Sequence, residues 1–439
     1  MQGERKTLTQ LSVPICLETL FYMLSGMVDT LMLSSVSDQA VGAVGTANTY
    51  IGVFIIMFGV ISSGMVAVMS QNIGAGRPGI AYQARQLGLV FNALTGILMS
   101  VVLAVFSGGI LRAVSIAPAL LESAETYLKI VGGASFLNAL IPIFSSYLRV
   151  FGYTKHSLIG TVVGNVINII LNSVFLFVFH WGVMGVATAT VISKVVNLII
   201  VAAMGVVLIK AKQSPERAQP RRILAQIVKI GFPSAFETAL YNVAMTFIVC
   251  FMNQMDTDGM NVTARSYAMQ IANFSYCVGA ALAQANAIMT GWRIGAKKYE
   301  ECDRGTRKAV IYGLVTATCF SVTFAMTGRF IVHIFTDDTQ MIELVVKLLI
   351  VDIFLEFGRV TNLVYGQALK TSGDAIFPVI MGAIFMYLFA VGGTYFLGIH
   401  MGLLAVGAYI AMAGDECARA VGMVLRWKSG KWKSKSLVE

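Results

Sequence analysis

Twelve runs of predominantly apolar residues, each about the 20 residues that a helix needs to cross a bilayer core, divide this 439-residue chain almost from end to end. They begin near residues 8, 45, 86, 126, 157 and 183, and again near 224, 262, 309, 341, 376 and 402, with gaps marked by Gly, Pro, Asn or charge. Charged residues make up only 12% and hydrophobic ones 57%, against roughly 25% charged in a soluble domain. A soluble globular enzyme is therefore excluded, and so is a disordered chain, which needs more charge and less apolar matter. The sequence reads as a polytopic, all-α membrane protein. Its first run is too long and lacks the small-residue cleavage site of a signal peptide, so we read it as a retained span.

The net charge of +10 is explained by sidedness, not by nucleic acid. With a cytoplasmic N-terminus, the inside segments take Arg5, Lys6, Arg77, Arg85, Arg149 and Lys155. They also take the basic residues of 210–222 (Lys212 among them), those of 293–308, Lys370 and the lysines of 428–435. The outside gaps keep Arg112, Arg265 and Arg329 with acids such as Asp38, Asp256 and Asp337. Loops rich in Lys and Arg stay inside, which predicts both termini in the cytoplasm. The four tryptophans, Trp181, Trp292, Trp427 and Trp432, fall at predicted interfaces, and the tail RWKSGKWKSKS reads as a basic interfacial anchor. Six cysteines without CxxC spacing read as free packing thiols.

The two halves repeat one another. Pro14, Glu18, Thr19 and Tyr22 recur as Pro233, Glu237, Thr238 and Tyr241; Ile73-Gly74-Ala75 as Ile294-Gly295-Ala296; His180 and Gly182 as His400 and Gly402. The offsets stay between 219 and 221 residues. Six spans per half make the repeat parallel, so the expected architecture is twelve helices in two six-helix bundles related by a pseudo-two-fold along the membrane normal. The expected lobes are 1–209 and 224–427, joined by a polar linker at 210–223 and followed by a basic tail at 428–439. Such a pair of bundles suits alternating access.

Polar residues inside the spans carry the chemistry. Asp29 lies in the first span, where a carboxylate at the helix centre costs on the order of 2.5 to 3.5 kcal/mol; it faces a water-filled cleft or snorkels outward. Asn165, Asn168 and Asn172 occupy the fifth span, with Asn168 and Asn172 on one face, either solvating a carboxyl or joining helices. Lys194 in the sixth span needs an acidic partner, and Asp29 is the candidate. The second half holds Glu237 in its first span, Asp352, Glu356 and Arg359 in the tenth span, and Asp415, Glu416 and Arg419 in the twelfth. The spacings allow Glu356 to pair with Arg359, and Asp415 or Glu416 with Arg419. Glu18 and Glu237, each four residues after a proline, read as hinge supports. The 23 Met and 26 Phe suit an adaptable pocket or the lipid face. There is no GxxxxGK[ST], GxSxG or HExxH motif, which leaves a primary pump or an intramembrane hydrolase without its machinery.

These features in this order resemble the multidrug and toxic compound extrusion (MATE) family. The specific parts are Pro14 followed by VDTLML with Asp29, the SQNIGAGR segment, the Asn168-to-Asn172 helix, GVMGVATATVIS with Thr190, and the second proline motif at Pro233. The resemblance implies a bacterial inner-membrane antiporter that exports organic, cationic or amphipathic compounds in exchange for protons or sodium ions. It implies a cation-coupling site at Asp29, Asn168, Asn172 and Thr190. A second coupling site would fall at Glu237, Asp352 and Glu356, with Lys194, Arg359, Asp415, Glu416 and Arg419 as ion-pair partners. Asn172 stands where a carboxylate is common, which favours a single proton over a sodium cage. No cofactor or resident metal is implied, and the expected partners are a small organic substrate and the lipid bilayer, with the chain acting as a monomer. The alternative is a flippase for lipid-linked saccharides, a related two-lobed class with a more basic cavity and extra spans.

Overall fold

The computed structural model describes residues 6–113, 116–211, 214–256 and 258–438, without the side chain of Asp38. Arg5, Lys212 and the Asp38 carboxylate, counted in the sidedness argument, lie outside the described residues. Among the described residues there is no strand. The helices are α1 (Leu8–Ser34), α2 (Asp38–Gly74), α3 (Pro78–Val105), α4 (Ser107–Ala113), α5 (Pro118–Tyr127), α6 (Phe136–Val150) and α7 (Thr154–Ser173). They continue as α8 (Gly182–Leu208), α9 (Pro220–Asn253), α10 (Met260–Gly295), α11 (Tyr299–His333), α12 (Thr339–Ser372), α13 (Ile376–Phe385) and α14 (Leu404–Lys428). Wider π-helical turns at Leu128–Gly132, Val174–Val178, Met386–Val391 and Thr394–His400 extend α5, α7 and α13. With α5 and α6 joined as one span bent by 42°, the chain makes twelve crossing helices in two bundles.

Eight of these helices are long and apolar enough to cross a membrane by composition, or nine with the bent pair. The other three, α10, α12 and α14, fall short because they form the polar interior of the second unit: Asp352, Glu356, Asp415, Glu416 and Arg419 are all buried there. Lipid-facing surface is found instead on residues such as Met326 and Phe330, 81% and 77% exposed. Helices begin up to ten residues before the apolar runs, for example α11 at Tyr299, because their first turns are polar.

The chain sorts into two compact units. One is built on Leu17–Gly231, the other on Thr7–Cys16 and Phe232–Glu439. The switch points fall two residues from Pro14 and Pro233, both inside helices, where the missing N–H weakens the helix and permits a bend. The start of α9 thus belongs to the first unit, where it crosses α2 at a backbone contact. A Cβ on Gly231 would overlap the carbonyl oxygen of Val60, and one on Gly64 that of Ile227. Gly231→Ala is expected to destabilise the protein by about 1 to 3 kcal/mol through overpacking. A melting curve of the solubilised variant superimposable on that of the parent chain would rule out this tight crossing. The polar stretch before α9 is fastened to the same unit: Gln83 accepts from the Ala218 N–H at 3.1 Å and donates to its carbonyl at 2.8 Å.

The repeat is visible in the backbone as well. Val174–Val178 and Thr394–His400 are both π-helical, and Gly182 and Gly402 that follow them have φ of 55° and 70°, a left-handed conformation that glycine adopts without steric cost.

The tryptophans depart from expectation. Trp181 is 42% exposed, but Trp292, Trp427 and Trp432 are 5%, 2% and 1% exposed. In the tail, Trp427 Nε1 donates to Asp303 Oδ1 at 2.9 Å and Trp432 Nε1 donates to the Trp427 carbonyl at 2.9 Å. The two rings stack at 4.2 Å. Satisfied indole N–H groups make burial favourable, so the tail folds onto its own unit while Lys428, Lys431, Lys433 and Lys435 stay exposed. Several cations from the sidedness count are also used internally. Arg85, 6% exposed, lies over the Phe144 ring at 4.5 Å, and Arg149 and Lys370 form ion pairs. Arg265, assigned to an outside gap, is 7% exposed.

Candidate coupling site and a second polar cluster

In the first unit Asp29 is half-buried on α1, and its carboxylate turns toward α7. Asn172 Nδ2 donates to Asp29 Oδ1 at 2.6 Å and to Asn168 Oδ1 at 3.2 Å. Asn168 and Asn172 are 3% and 0% exposed, and the one-turn spacing that puts them on one face is what lets a single amide bridge both acceptors. Asn172 Oδ1 is buried without a hydrogen-bond partner. Asn165 lies apart from this group, donating to the Phe21 carbonyl at 2.7 Å and so tying α7 to α1.

Thr190, 8% exposed on α8, donates to the Val186 carbonyl at 2.9 Å and reaches the group through Tyr127. The Tyr127 hydroxyl hydrogen-bonds Thr190 and Asn48 and lies within electrostatic range of Asp29. Tyr127 and Asn48 were missed by sequence reasoning, since one ends α5 and the other sits in a long apolar run with nothing in its spacing to mark it. Two π-helical turns flank the site, one directly after Tyr127 and one beginning two residues after Asn172. Such turns widen the helix and often accompany functional positions. Lys194 is not paired to Asp29 among the described residues; its Nζ donates to Asn138 Oδ1 at 2.9 Å, with Asp29 close enough to exert a field.

Glu18 sits in the same unit, 7% exposed. Its Oε1 accepts from Arg149 at 2.7 Å, Ser157 at 3.0 Å and Thr161 at 3.4 Å. Its repeat mate Glu237 pairs with Lys370 in the second unit. Arg149 and Lys370 are themselves 221 residues apart, so each half carries the same acid–base contact after its proline.

The remaining charges of the second unit form one network. Arg359 pairs with Glu356 and lies 3.7 Å from Glu416. Arg419 holds Asp415 at 2.6 Å and Glu416 at 3.0 Å. Ser275 donates to Glu356 at 3.2 Å and Asn362 to Glu416 at 2.9 Å. Glu237 is outside this network. Asp352, 4% exposed, makes no hydrogen bond or ion pair among the described residues. The structure therefore joins Asp29, Asn168 and Asn172 directly, Thr190 through Tyr127, and Glu356, Arg359, Asp415, Glu416 and Arg419 to one another. It leaves Glu237 with Lys370 and Asp352 alone.

Comparison with known proteins agrees with this architecture. The MatE family profile matches residues 14–174 and 233–396, one block in each half. An uncharacterized transporter, YisQ, from Bacillus subtilis is 32% identical over 98% of this chain and 96% of its own length. A probable multidrug resistance protein, NorM, from Thermotoga maritima is 26% identical over 99% of this chain and 94% of its own. A crystal structure of a MATE protein in a straight conformation superposes with a TM-score of 0.89 at 19% identity, covering 97% of this chain and 96% of that one. An outward-facing MATE transporter of the MOP superfamily gives 0.88 at 18% identity over the same shares. With a carboxylate–amide cluster in one unit, a charged network in the other and the family profile on both, the chain belongs to the MATE family of multi-pass membrane transporters and is not an enzyme.

Proposed function

We propose that this protein exports organic, cationic or amphipathic compounds from the bacterial cytoplasm by antiport with protons, Asp29 carrying the proton. Drug efflux is the activity in the names of several relatives, including the probable multidrug resistance protein NorM, and the family match favours export over the saccharide-flippase reading. The observation that carries the coupling assignment is the Asn172 amide. It donates to the Asp29 carboxylate while its own Oδ1 lacks a donor. Protonating Asp29 supplies the missing O–H, so acid and amide can close a two-bond ring, and the protonated form is satisfied without an added charge. No second carboxylate faces Asp29 through Asn172 or Asn168, which supports one proton over a sodium cage built from several charged oxygens.

In this reading proton uptake at Asp29 repacks the first unit and weakens substrate binding, and the effect is reciprocal. Both termini lie in the cytoplasm, the transporter works in the inner membrane as a monomer, and it needs no cofactor beyond the coupling ion. Efflux of a cationic dye from proteoliposomes under separately imposed proton and sodium gradients tests the assignment. Proton-driven efflux is expected; efflux driven by sodium alone, or by neither gradient, would overturn it.

A further inference from the structure

The second unit encloses a cavity of about 430 Å³ between α9, α10, α12, α13 and α14, within the size range of small-molecule sites. Its charges are mostly spent on one another. Lys370 is held by Glu237, and Arg359 and Arg419 are held by Glu356, Asp415 and Glu416. Asp352 is the exception: it lines the cavity, is 4% exposed and has no partner among the described residues. Five carboxylates thus meet three cations around one chamber, and the carboxylate in excess opens on it.

A buried carboxylate needs a cation or a proton. Arg359 lies two helical turns along α12, roughly 10 Å away at 1.5 Å per residue, and is already engaged by two acids. An inorganic ion would want several oxygen ligands closing on it, and no group of three or more His, Cys, Asp or Glu converges in that way among the described residues. The remaining lining suits something larger. Tyr241, Tyr276 and Tyr409 offer aromatic faces, which attract organic cations, and Met245, Met269 and Met412 offer flexible, polarizable side chains that adapt to an apolar body.

We propose that this cavity is a receptor site for a hydrophobic organic monocation whose positive centre sits against Asp352. Ligand recognition and ion coupling then rest on carboxylates in different units, and Asp352 is a specificity-determining residue, not a second coupling acid. The proposal deepens the export reading and rests on it for its role, but binding at equilibrium tests it without any gradient.

The experiment compares the full-length protein in detergent for two probes of similar shape, tetraphenylphosphonium and the neutral triphenylphosphine oxide. In Asp352→Asn the affinity ratio of cation to neutral probe is expected to fall at least about tenfold, as when a buried charge loses its partner. Asp352→Glu should keep the ratio. Asp29→Asn, acting through the conformational equilibrium, should shift both probes together and also leave the ratio unchanged. If Asp352→Asn does not fold, Met269→Lys, which places a fixed cation on the cavity wall, is expected to lower the ratio instead. An unchanged ratio in Asp352→Asn, or a ratio that falls in Asp29→Asn alone, overturns the proposal. Absence of proton-driven efflux would remove the coupling assignment while leaving this binding result intact.

Discussion

Asp29→Asn is expected to abolish gradient-dependent export while leaving the protein folded and able to bind ligand. The substituted amide fills the same space and still accepts from Asn172 Nδ2, so the contact between α1 and α7 survives. What disappears is the change of state, because an amide can neither release nor take up a proton. The cost is the coupling itself, typically a factor of roughly 5 to 150 between two linked sites. The measurement is efflux in proteoliposomes with and without a proton gradient: the variant should give equal, slow rates under both conditions, with its melting temperature close to that of the parent. Wild-type acceleration by the gradient in Asp29→Asn would place the proton elsewhere. Asn172→Leu offers a second view of the same contact. It removes the donor and the orphaned acceptor together, and is expected to impair coupling more than passive binding.

How far this site was legible in the sequence depended on whether its members share an element. Asn168 and Asn172 declare themselves by spacing on one helix, and Asp29 by being a lone acid in an apolar run. Tyr127 and Asn48 do not, because their relation to Thr190 is made by packing between helices distant in sequence. Twelve spans followed from hydropathy and loop charge, yet α10, α12 and α14 owe their place to burial within a unit, where composition misleads. Burial overturned the interfacial reading of Trp427 and Trp432 for the same reason: an indole N–H that finds a protein acceptor has no need of the water interface.

The repeat held more information than the motifs alone used. Asn138 and Arg359 are 221 residues apart, as are Lys194 and Asp415. Where the first unit sets a lysine on an asparagine, the second sets an arginine and an aspartate in an acid-rich network. The same scaffold positions thus carry opposite polarity in the two halves. A duplicated fold that keeps its backbone devices, including the prolines, π-helical turns and left-handed glycines, while inverting its buried charge is well suited to giving its halves different tasks. A single proton carrier in one half and a cation receptor in the other is such a division.

Among substitutions away from both sites, Arg149→Met is expected to have the largest effect on stability. It strips Glu18 of its ion-pair partner at 2.7 Å and leaves a carboxylate only 7% exposed with the Ser157 and Thr161 hydroxyls alone. Removing one member of a buried pair costs about 3 to 5 kcal/mol, and the pair's partial exposure puts the expected loss near the lower end. Glu18→Gln, which keeps hydrogen-bonding capacity without the charge, should cost less. The double variant should recover much of the loss, because no buried charge is then left uncompensated. A double-mutant cycle on thermal melts reads this directly as non-additivity; strictly additive losses would mean the contact contributes nothing of its own. The repeat mate provides an internal comparison. In the Glu237–Lys370 pair the acid is more exposed, 21% against 10% for the Glu18 side chain, so Lys370→Met should destabilise less than Arg149→Met. Each acid lies four residues beyond a proline where its helix passes from one unit to the other. Such a pair fixes the direction in which the helix leaves the bend, and a variant that folds but lacks it should show altered transport rate before any change in ligand affinity.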